Sequence, residues 1–414
     1  MELSRASSKQ PEVNIGMVGH VDHGKTTLTQ ALSGTWTDTH SEERKRGISI
    51  KLGYADTAFY KTKDGDHYSE GKHPEGEGGE GELLRVASFV DAPGHETLMA
   101  VMISGASIMD GALLLVAATE KCPQPQTREH LAALEIAGIE NIVVVQNKID
   151  IVSKDRAIES FNEIKDFVRG TIADGAPIVP VSAHHDVNLD VLIETIEETI
   201  PTPDRSEDEG GLMYVARSFD VNRPGSRPSG LRGGVIGGSI VEGSFSVGDS
   251  ILIAPGRRIQ DGNKTRWDPL KTTIEGIKGG GVGLETAFAG GLCGISTPLD
   301  PIATKADELS GQVMAREGEL PPIWDELKLD LQLLEKMVSS SEDDDSGIRP
   351  LQPNEMLMVN SATATSVGTV SSIKGKNATL SLRLPICAKE GSRITLSRRI
   401  GSRWRLIGHG SITG

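Results

Sequence analysis

The pattern of apolar and polar positions divides this chain into an early part with alternating strand and helix signals and a later part with strand signals only. In the early part, mostly apolar runs of strand length occur at 13–18, 86–91, 112–117, 142–147 and 178–182. Helical stretches separate these runs, and the clearest, at 189–200, repeats apolar residues on one face. Strands that alternate with helices in this way predict a doubly wound, mostly parallel sheet.

The pattern changes after residue 203. Residues 204–211 are acidic and end in glycines, a composition that is typical of a linker. Beyond them the helical period almost disappears and short strand-like runs recur between glycines, which predicts two β-barrel domains at 212–322 and 323–414. Residues 1–11 are predicted to be a disordered lead-in, so the α/β domain spans 12–203. Within the last domain, the acidic stretch 339–345 is predicted to be a solvated turn.

A glycine-rich segment directly follows the first predicted strand. Residues 19–27 have the sequence GHVDHGKTT, which fits the phosphate-binding pattern GxxxxGKT. Glycines allow backbone amides to turn toward a phosphate, while the lysine and the start of a helix add positive charge. The segment is therefore predicted to bind a nucleotide, with Thr26 also offering its hydroxyl to Mg²⁺. The expected contacts are Asp22, His23, Gly24, Lys25, Thr26 and Thr27.

Polar residues after two later strands indicate that the base is guanine. A carboxylate at Asp150 can accept hydrogen bonds from N1 and the exocyclic amine of guanine, whereas adenine presents no such pair of donors. A backbone amide at 182–184 can meet the guanine 6-oxygen. Together these segments predict a GTP-binding α/β P-loop domain. The expected contacts are Asn147, Lys148, Asp150, Ser182, Ala183 and His184.

Two segments are predicted to respond to the third phosphate. Asp91 closes a buried strand and can hold Mg²⁺ through water, and the amide of Gly94 can contact the γ-phosphate. In segment 46–50, Ser49 is placed to bind Mg²⁺ only while a third phosphate is present. A hydroxyl that loses its partner on hydrolysis releases its loop.

His95, next to Gly94, is the predicted catalytic residue. Its imidazole could orient the attacking water and interact with charge that develops during hydrolysis. Val21 and Ile48 could form an apolar gate that keeps His95 away from the water. We therefore expect GTP hydrolysis to GDP with slow intrinsic turnover.

Composition limits the cellular setting and the partners. The chain has 414 residues, a net charge of −15 and cysteines only at 122, 293 and 387. Widely spaced cysteines do not suit a disulfide framework, and no apolar run reaches membrane-spanning length. We therefore expect a cytoplasmic protein with no membrane contact. The negative charge restricts nucleic-acid binding to local basic patches.

The nucleotide motifs resemble those of the translational GTPases of the elongation factor Tu type, which have a G domain and two β-barrels. Further stretches are similar to the gamma-subunit family of archaeal and eukaryotic translation initiation factor 2, and the similarity extends from about residue 11 to the C-terminus. Length and the lack of eukaryotic extensions favour an archaeal member. The stretches that carry this resemblance are 49–55, 123–130, 217–222, 233–239 and 398–408.

The resemblance implies a function and a set of partners. It implies GTP-dependent delivery of methionylated initiator tRNA to the small ribosomal subunit, with hydrolysis releasing the tRNA, by a heterotrimer that includes alpha and beta subunits. In addition to the Mg²⁺ at Thr26 and Ser49, it implies a second magnesium position at Asp22 and the Gly47 carbonyl. Many relatives carry a four-cysteine zinc site where residues 61–84 have no cysteine, so we expect no zinc and a mobile loop there.

Two groups of residues are candidates for holding the tRNA. One group would line a cleft for methionine and the terminal adenosine, although packing in the core is an equal alternative for Tyr54. The other group would contact phosphates, with a solvated strand face as the alternative. The cleft candidates are Tyr54, Gly233 and Gly234, and the phosphate candidates are Arg398, Arg399, Arg403 and Arg405.

Three other functions remain open from the sequence. An elongation-type carrier, including the selenocysteine-specific kind, would keep the fold and change the cargo. A regulatory GTPase subunit of a sulfate-activating enzyme would act outside translation. A scaffold with vestigial hydrolysis would use its barrels only to assemble partner subunits.

Overall fold

Three β-rich domains follow one another along the chain. The computed structural model describes residues 10–37, 51–76, 81–95, 98–205, 210–223, 225, 227, 230–262, 264–334, 348–401 and 403–413. An α/β domain comes first, and two domains built from antiparallel strands follow it. This arrangement confirms the predicted fold class of a GTPase domain followed by barrels.

The first domain is built on a seven-stranded sheet. Its strands are β1 (Val13–Gly19), β2 (Gly53–Lys61), β3 (His67–Ser69), β4 (Glu82–Asp91), β5 (Gly111–Ala117), β6 (Ile142–Asn147) and β7 (Ile178–Pro180). Their order across the sheet is β3-β2-β4-β1-β5-β6-β7. The strands from β4 to β7 in this order run parallel, while β2 pairs antiparallel with β3 and β4.

Helices cover both faces of this sheet. They are α1 (Lys25–Ser33), α2 (Met99–Ala106), α3 (Pro125–Ala137), α4 (Lys154–Val168) and α5 (Leu189–Thr199). Along β5, Leu113 and Leu115 join one apolar core while Leu114 and Val116 join the other, because side chains alternate along a strand. Both faces are therefore buried, which explains the continuous apolar runs. Within the described chain, we find no helix that is both long and apolar enough to cross a membrane.

The second domain is a nine-stranded antiparallel sheet around one apolar core. The strands are β8 (Gly211–Phe219), β9 (Val235–Ser246), β10 (Ser250–Asp261), β11 (Lys264–Thr273), β12 (Gly276–Gly279), β13 (Val282–Leu284), β14 (Thr286–Phe288), β15 (Cys293–Ser296) and β16 (Val313–Arg316). A short helix, α6 (Pro301–Thr304), precedes β16. The main path is β11-β10-β16-β8-β9-β15-β12-β13, with β14 paired to β9.

The third domain is a closed barrel with its own core. The strands are β17 (Ile323–Leu333), β18 (Met356–Ser361), β19 (Ala364–Lys374), β20 (Asn377–Cys387), β21 (Arg393–Ile400) and β22 (Arg403–Ile412). They close in the order β17-β20-β19-β18-β21-β22. Residues 339–345, where a solvated turn is predicted, lie outside the described residues.

Two predictions about irregular segments are wrong where the structure describes them. The lead-in does not extend to residue 11, because the Gln10 amide is buried and pairs with the backbone of Phe288 at 2.6 and 3.0 Å. The segment 61–84 is not simply a loop, because β3 pairs with β2 and the Tyr68 ring stacks on Tyr60 at 5.3 Å between centroids. In both places the ordered structure depends on contacts with residues elsewhere in the chain, which sequence composition does not reveal.

Hydrogen bonds that are buried or partly buried join the first domain to the other two. The Asn14 amide donates to the Ser239 hydroxyl at 3.0 Å in the second domain. The Ser104 hydroxyl donates to the Thr363 carbonyl at 3.0 Å in the third domain, and Arg393 donates to the Ile136 carbonyl at 2.5 Å. Because polar groups removed from water are costly to leave unpaired, these contacts stabilise this arrangement of the domains.

Two arginines predicted to contact tRNA phosphates are structural. The Arg398 side chain is 5% exposed, and it donates to both Glu355 carboxylate oxygens at 2.6 and 3.2 Å. Arg405 pairs with Glu129 on α3 of the first domain. Arg398 is buried, Arg405 is mostly buried, and both guanidinium groups are paired with carboxylates inside the protein, so both assignments are corrected, whereas Arg399 and Arg403 are exposed. The clustering of cations in the sequence does not show which of them face inward.

We predict that Glu355→Ala destabilises the third domain by about 3–5 kcal/mol, because it leaves the Arg398 charge buried without its carboxylate. Hydrogen exchange of β18 and β21 amides under increasing denaturant would measure this loss. Glu326→Ala is the matched control, since Glu326 is exposed on β17 and its change should stay within about 0.5 kcal/mol. Equal stability of the two variants would contradict the structural role of the Glu355 pair.

Candidate functional site

The phosphate loop connects β1 to α1. Gly24 immediately precedes α1 with φ 91°, and a Cβ atom there would lie 2.3 Å from the Asn147 amide nitrogen. Lys25 Nζ donates to the carbonyls of Gly19 at 3.0 Å and His20 at 2.8 Å. The lysine therefore lies across the loop with its charge at the start of the helix. This geometry suits a phosphate, because the helix N-terminus and the cation act on the same point.

Asp91 lies at the end of β4 and is fully buried. Its Oδ2 atom accepts hydrogen bonds from the Thr26 hydroxyl at 2.8 Å and the Thr37 hydroxyl at 2.6 Å. A carboxylate beside a hydroxyl on the phosphate loop is the hard oxygen set that Mg²⁺ prefers, so the residues fit this ion. Thr37 was missed by sequence reasoning. The predicted Gly47, Ile48 and Ser49 lie outside the described residues.

Gly94 packs directly onto the phosphate loop. A Cβ atom at this position would lie 2.5 Å from Lys25 Nζ and 3.0 Å from the Val21 backbone nitrogen. Only glycine permits this approach without displacement of the loop. His95 follows, half-buried, and its carbonyl accepts from the Leu98 amide at 2.9 Å. The structure thus brings the predicted γ-phosphate segment against the phosphate loop.

Asn147 links the base-binding segments to the phosphate loop. Its side-chain nitrogen donates to the His23 carbonyl at 3.0 Å, and its oxygen accepts from the Ala183 amide at 3.1 Å. Lys148 has φ 64°, a left-handed conformation that turns the chain toward Asp150. The predicted guanine contacts are therefore adjacent in space although they are far apart in sequence.

The Asp150 carboxylate is ionised and accessible. The neighbouring Ser182 hydroxyl holds the pKa of Asp150 below its ordinary value, and the carboxylate lies 3.7 Å from His185 Nε2. An exposed, charged acceptor at this position suits the donor edge of guanine. His184 packs edge-on against the His185 ring, with 4.8 Å between centroids.

Histidines inside and behind the phosphate loop are neutral. Burial lowers the pKa of His23 to about 3, and its Nδ1 lies 2.9 Å from the Leu115 carbonyl oxygen. Burial also lowers the pKa of His20. Both rings are therefore neutral near pH 7.

A third histidine supports the loop from α3. His130 Nδ1 accepts a hydrogen bond from the Gly19 amide at 2.9 Å, and burial lowers the pKa of His130 to about 3. The ring is neutral, so its proton is on Nε2. Sequence reasoning did not single out this residue, because no local pattern shows that α3 passes behind the phosphate loop.

A separate pocket of about 490 Å³ lies between the first and second domains. Burial raises the pKa of the Tyr54 hydroxyl above its ordinary range. The pocket combines aromatic and cationic side chains with glycine backbone. Residues on its wall include Tyr54, Arg217, Phe219, Gly237, Gly238 and Gly294.

Gly233 and Gly234 are not part of this wall, so their assignment to it is corrected. A Cβ atom on Gly233 would lie 1.9 Å from the Thr297 carbonyl oxygen, and one on Gly234 would lie 2.2 Å from the Thr304 hydroxyl oxygen. Both glycines allow close packing within the second domain. Two later glycines of the same segment, Gly237 and Gly238, line the pocket instead, because register decides which residues of a strand face it.

Comparisons with known families agree with this site. Residues 10–202 match the family model described as "Elongation factor Tu GTP binding domain", and residues 325–412 match "Initiation factor eIF2 gamma, C terminal". The fold and the nucleotide site thus define a translational GTPase, which binds and hydrolyses GTP. GTPases of this class use Mg²⁺.

Curated relatives identify the family. Proteins named "Translation initiation factor 2 subunit gamma" are 55% identical in Methanococcus maripaludis, 56% in Methanothermobacter thermautotrophicus and 54% in Halorubrum lacusprofundi. The alignments cover 98%, 97% and 98% of this chain and 100%, 99% and 98% of the relatives. The chain belongs to the translation initiation factor 2 gamma-subunit family and acts in translation initiation. The elongation, sulfate-activation and scaffold alternatives are not favoured.

Solved structures support the fold. A bacterial selenocysteine-specific elongation factor superposes with a TM-score of 0.73 at 23% identity, covering 97% of this chain and 58% of that one. The elongation factor SelB from Methanococcus maripaludis, in complex with a GTP analogue, gives 0.70 at 22% identity over 97% and 79%. At this identity the likeness concerns architecture alone.

We predict that acid destabilises the chain through its buried neutral histidines. The folded pKa of His130 is about 3, whereas the ordinary value is 6.5, so below pH 6.5 the unfolded chain binds a proton that the folded chain does not. The free energy of unfolding should fall by up to about 1.4 kcal/mol per pH unit from this residue.

Denaturant unfolding at pH 7.0 and at pH 5.5 would measure this dependence. His130→Asn should weaken it, because asparagine retains an oxygen acceptor for the Gly19 amide but takes up no proton. His185→Asn is the control, since the His185 side chain is 58% exposed. An unchanged pH dependence in His130→Asn would refute the assignment.

Proposed function

We propose that this chain carries methionylated initiator tRNA to the small ribosomal subunit in its GTP-bound form and releases the tRNA after hydrolysis. The observation that supports this most directly is a shared strand. Gly53 at the start of β2 is paired with Asp91 of the nucleotide site, and the next residue, Tyr54, lines the pocket between the domains. A conformational change at the nucleotide site could therefore reach the pocket through two consecutive residues of β2.

The nucleotide is held by the groups already brought together in the first domain. Lys25 and the start of α1 bind phosphates, Gly94 offers its amide to the γ-phosphate, and Asp150 selects guanine. Thr26 and Asp91, with Ser49, hold one Mg²⁺, which neutralises charge on the phosphates. A second Mg²⁺ position uses Asp22 and the Gly47 carbonyl. No zinc is part of this proposal.

Hydrolysis depends on the residue that follows Gly94. His95 orients the attacking water by hydrogen bonding, which is mainly a positional and electrostatic contribution. Val21 belongs to the phosphate loop, and its backbone nitrogen lies beside Gly94. With Ile48 it forms the apolar gate that keeps His95 from the water until a partner displaces it.

The pocket takes the methionyl end of the tRNA. Its wall combines the Phe219 ring with glycine backbone, which suits an apolar methionine side chain and a stacked terminal base. Arg217 adds a cation at the wall, and Arg399 and Arg403 are exposed farther away on the third domain. The chain works as a heterotrimer with alpha and beta subunits.

Protection of the methionyl ester from spontaneous hydrolysis tests this function. We expect protection of initiator Met-tRNA in the presence of a non-hydrolysable GTP analogue, weaker protection with GDP, and little protection of elongator Met-tRNA. The salt dependence of binding would count the phosphate contacts. Equal protection of both tRNAs would favour a general carrier, and no protection even with the alpha subunit would reject the proposal.

We predict that Gly294→Leu blocks the pocket and weakens Met-tRNA binding by about 10- to 100-fold, or about 1.4–2.8 kcal/mol. Gly294 lines the pocket, and a Cβ atom there meets only Val235 at 4.0 Å, so a larger side chain fits without backbone displacement. Ester protection and GDP affinity would be measured together, and GDP affinity should stay unchanged.

Gly276→Leu is the matched control for this substitution. Gly276 lies on the neighbouring strand β12, does not line the pocket, and has open space around an added Cβ atom. It should leave ester protection at the wild-type level. Equal losses of ester protection in the two variants would show that the substitutions disturb the second domain and do not act by blocking the pocket.

We predict that His95→Ala lowers the rate of GTP hydrolysis by about 10²- to 10⁴-fold while GDP affinity stays within about twofold. The reason is that His95 acts on the attacking water and not on the bound nucleotide. Single-turnover hydrolysis under ribosome-stimulated conditions would measure the rate, and His409→Ala, on β22 of the third domain, serves as the control. An unchanged rate would show that another group orients the water.

A further inference from the structure

Asp307, in the second domain, joins two cations that belong to different functional regions. Its Oδ1 accepts hydrogen bonds from Arg217 Nε at 2.8 Å and from the Ser218 amide at 3.1 Å, and its Oδ2 accepts from Lys51 Nζ. Burial alone would raise the pKa of Asp307, but the bonds from Lys51 and Arg217 hold that pKa below its ordinary value. The carboxylate is therefore a charged acceptor for both cations.

The backbone at this carboxylate adopts a conformation that non-glycine residues rarely use. Ala306 has φ 57° and Asp307 has φ 66°, so two consecutive non-glycine residues lie in the left-handed region. Such conformations persist only when surrounding contacts hold them, and they are concentrated at functional sites. Here the contacts are the bonds to Arg217, Ser218 and Lys51.

Arg217 belongs to the pocket between the domains. Its guanidinium carbon lies 5.1 Å from the centroid of the Phe219 ring, and both side chains line the pocket. Its Nη1 atom also donates to the Leu52 carbonyl at 3.2 Å. The orientation of the guanidinium in the wall thus depends on Asp307 on one side and on Leu52 on the other.

Lys51 and Leu52 belong to the nucleotide side. They immediately precede β2, whose first residue, Gly53, is paired with Asp91. The Leu52 side chain also packs on α2, where a Cβ atom at Gly105 would lie 2.6 Å from Leu52 Cδ2. A displacement of the start of β2 would therefore change the Lys51–Asp307 and Leu52–Arg217 contacts together.

We propose that Asp307 is a positioning residue that makes binding of an aminoacyl end in the pocket depend on the nucleotide. It holds the Arg217 guanidinium in the pocket wall while Lys51 and Leu52 occupy their present positions. This inference rests on the proposed function of the pocket. Coupling of this kind requires contacts that differ between two states of the protein. The Lys51–Asp307 and Leu52–Arg217 contacts meet this requirement, because a displacement of the start of β2 would break them.

Asp307→Asn in the full chain, assembled with its partner subunits, tests this role. Asparagine is among the non-glycine residues that best tolerate left-handed backbone, so the substitution removes charge and preserves the fold. The probe is methionylated initiator tRNA, and its dissociation constant is measured with a non-hydrolysable GTP analogue and with GDP. We expect the ratio of the dissociation constant with GDP to the dissociation constant with the GTP analogue to fall by about fivefold or more. The affinity for fluorescent GDP should be unchanged.

A double-mutant cycle with Lys51→Met separates positioning from general packing. If the Lys51–Asp307 pair transmits the effect, the ratio of dissociation constants should be no lower in the double variant than in Asp307→Asn alone. Additive losses would overturn the pairwise role. Glu308→Gln is the matched control, because Glu308 is the adjacent acid and is exposed, and it should retain the wild-type ratio.

The wild-type measurement distinguishes failure of this inference from failure of the proposed function. A wild-type ratio of one, or no tRNA binding at all, would overturn both. A clear wild-type ratio that persists in Asp307→Asn would overturn only the role of Asp307. An equal loss of affinity in both nucleotide states would also overturn it, because it would show a structural contribution that does not depend on the nucleotide.

Discussion

The arrangement of this molecule depends on the buried carboxylate of Asp91. A charge without solvent must be compensated by close donors or by a cation, or the folded state would lose several kcal/mol. Thr26 from the phosphate loop and Thr37 from the segment after α1 both donate to it. The requirement to compensate one charge therefore brings together β4, the phosphate loop and the approach to β2.

Sheet topology extends this constraint toward the second domain. Because β4 lies between β1 and β2, Asp91 is in register with Met17 on one side and with Gly53 on the other. A Cβ atom on Gly53 would lie 2.6 Å from Thr37 Cβ, so this strand approaches the nucleotide site as closely as backbone permits. The next residue of β2, Tyr54, lines the pocket. Consecutive residues at the start of β2 thus join the nucleotide site to the pocket.

Sequence patterns predicted the first domain well and the pocket only in part. The nucleotide residues follow strand ends in a parallel sheet, so their convergence follows from topology alone. Thr37, His130 and Arg217 act through contacts with residues far away in sequence, and nothing near them indicates those contacts. The same limitation explains the errors at Gly233 and Arg398. Periodicity identified the strands, but it did not show which side of each strand would meet another domain.

The inward position of Arg398 and Arg405 affects how the molecule behaves among other RNAs. Each of these positive charges is paired with an internal carboxylate, so neither attracts a polyanion at the surface, and the remainder of the chain keeps the full net charge of −15. Within about one Debye length, roughly 8 Å in physiological salt, such an exterior repels a polyanion, and at larger distances salt screens the repulsion. Abundant RNAs are thereby discouraged from indiscriminate association, and discrimination is left to close-range fit.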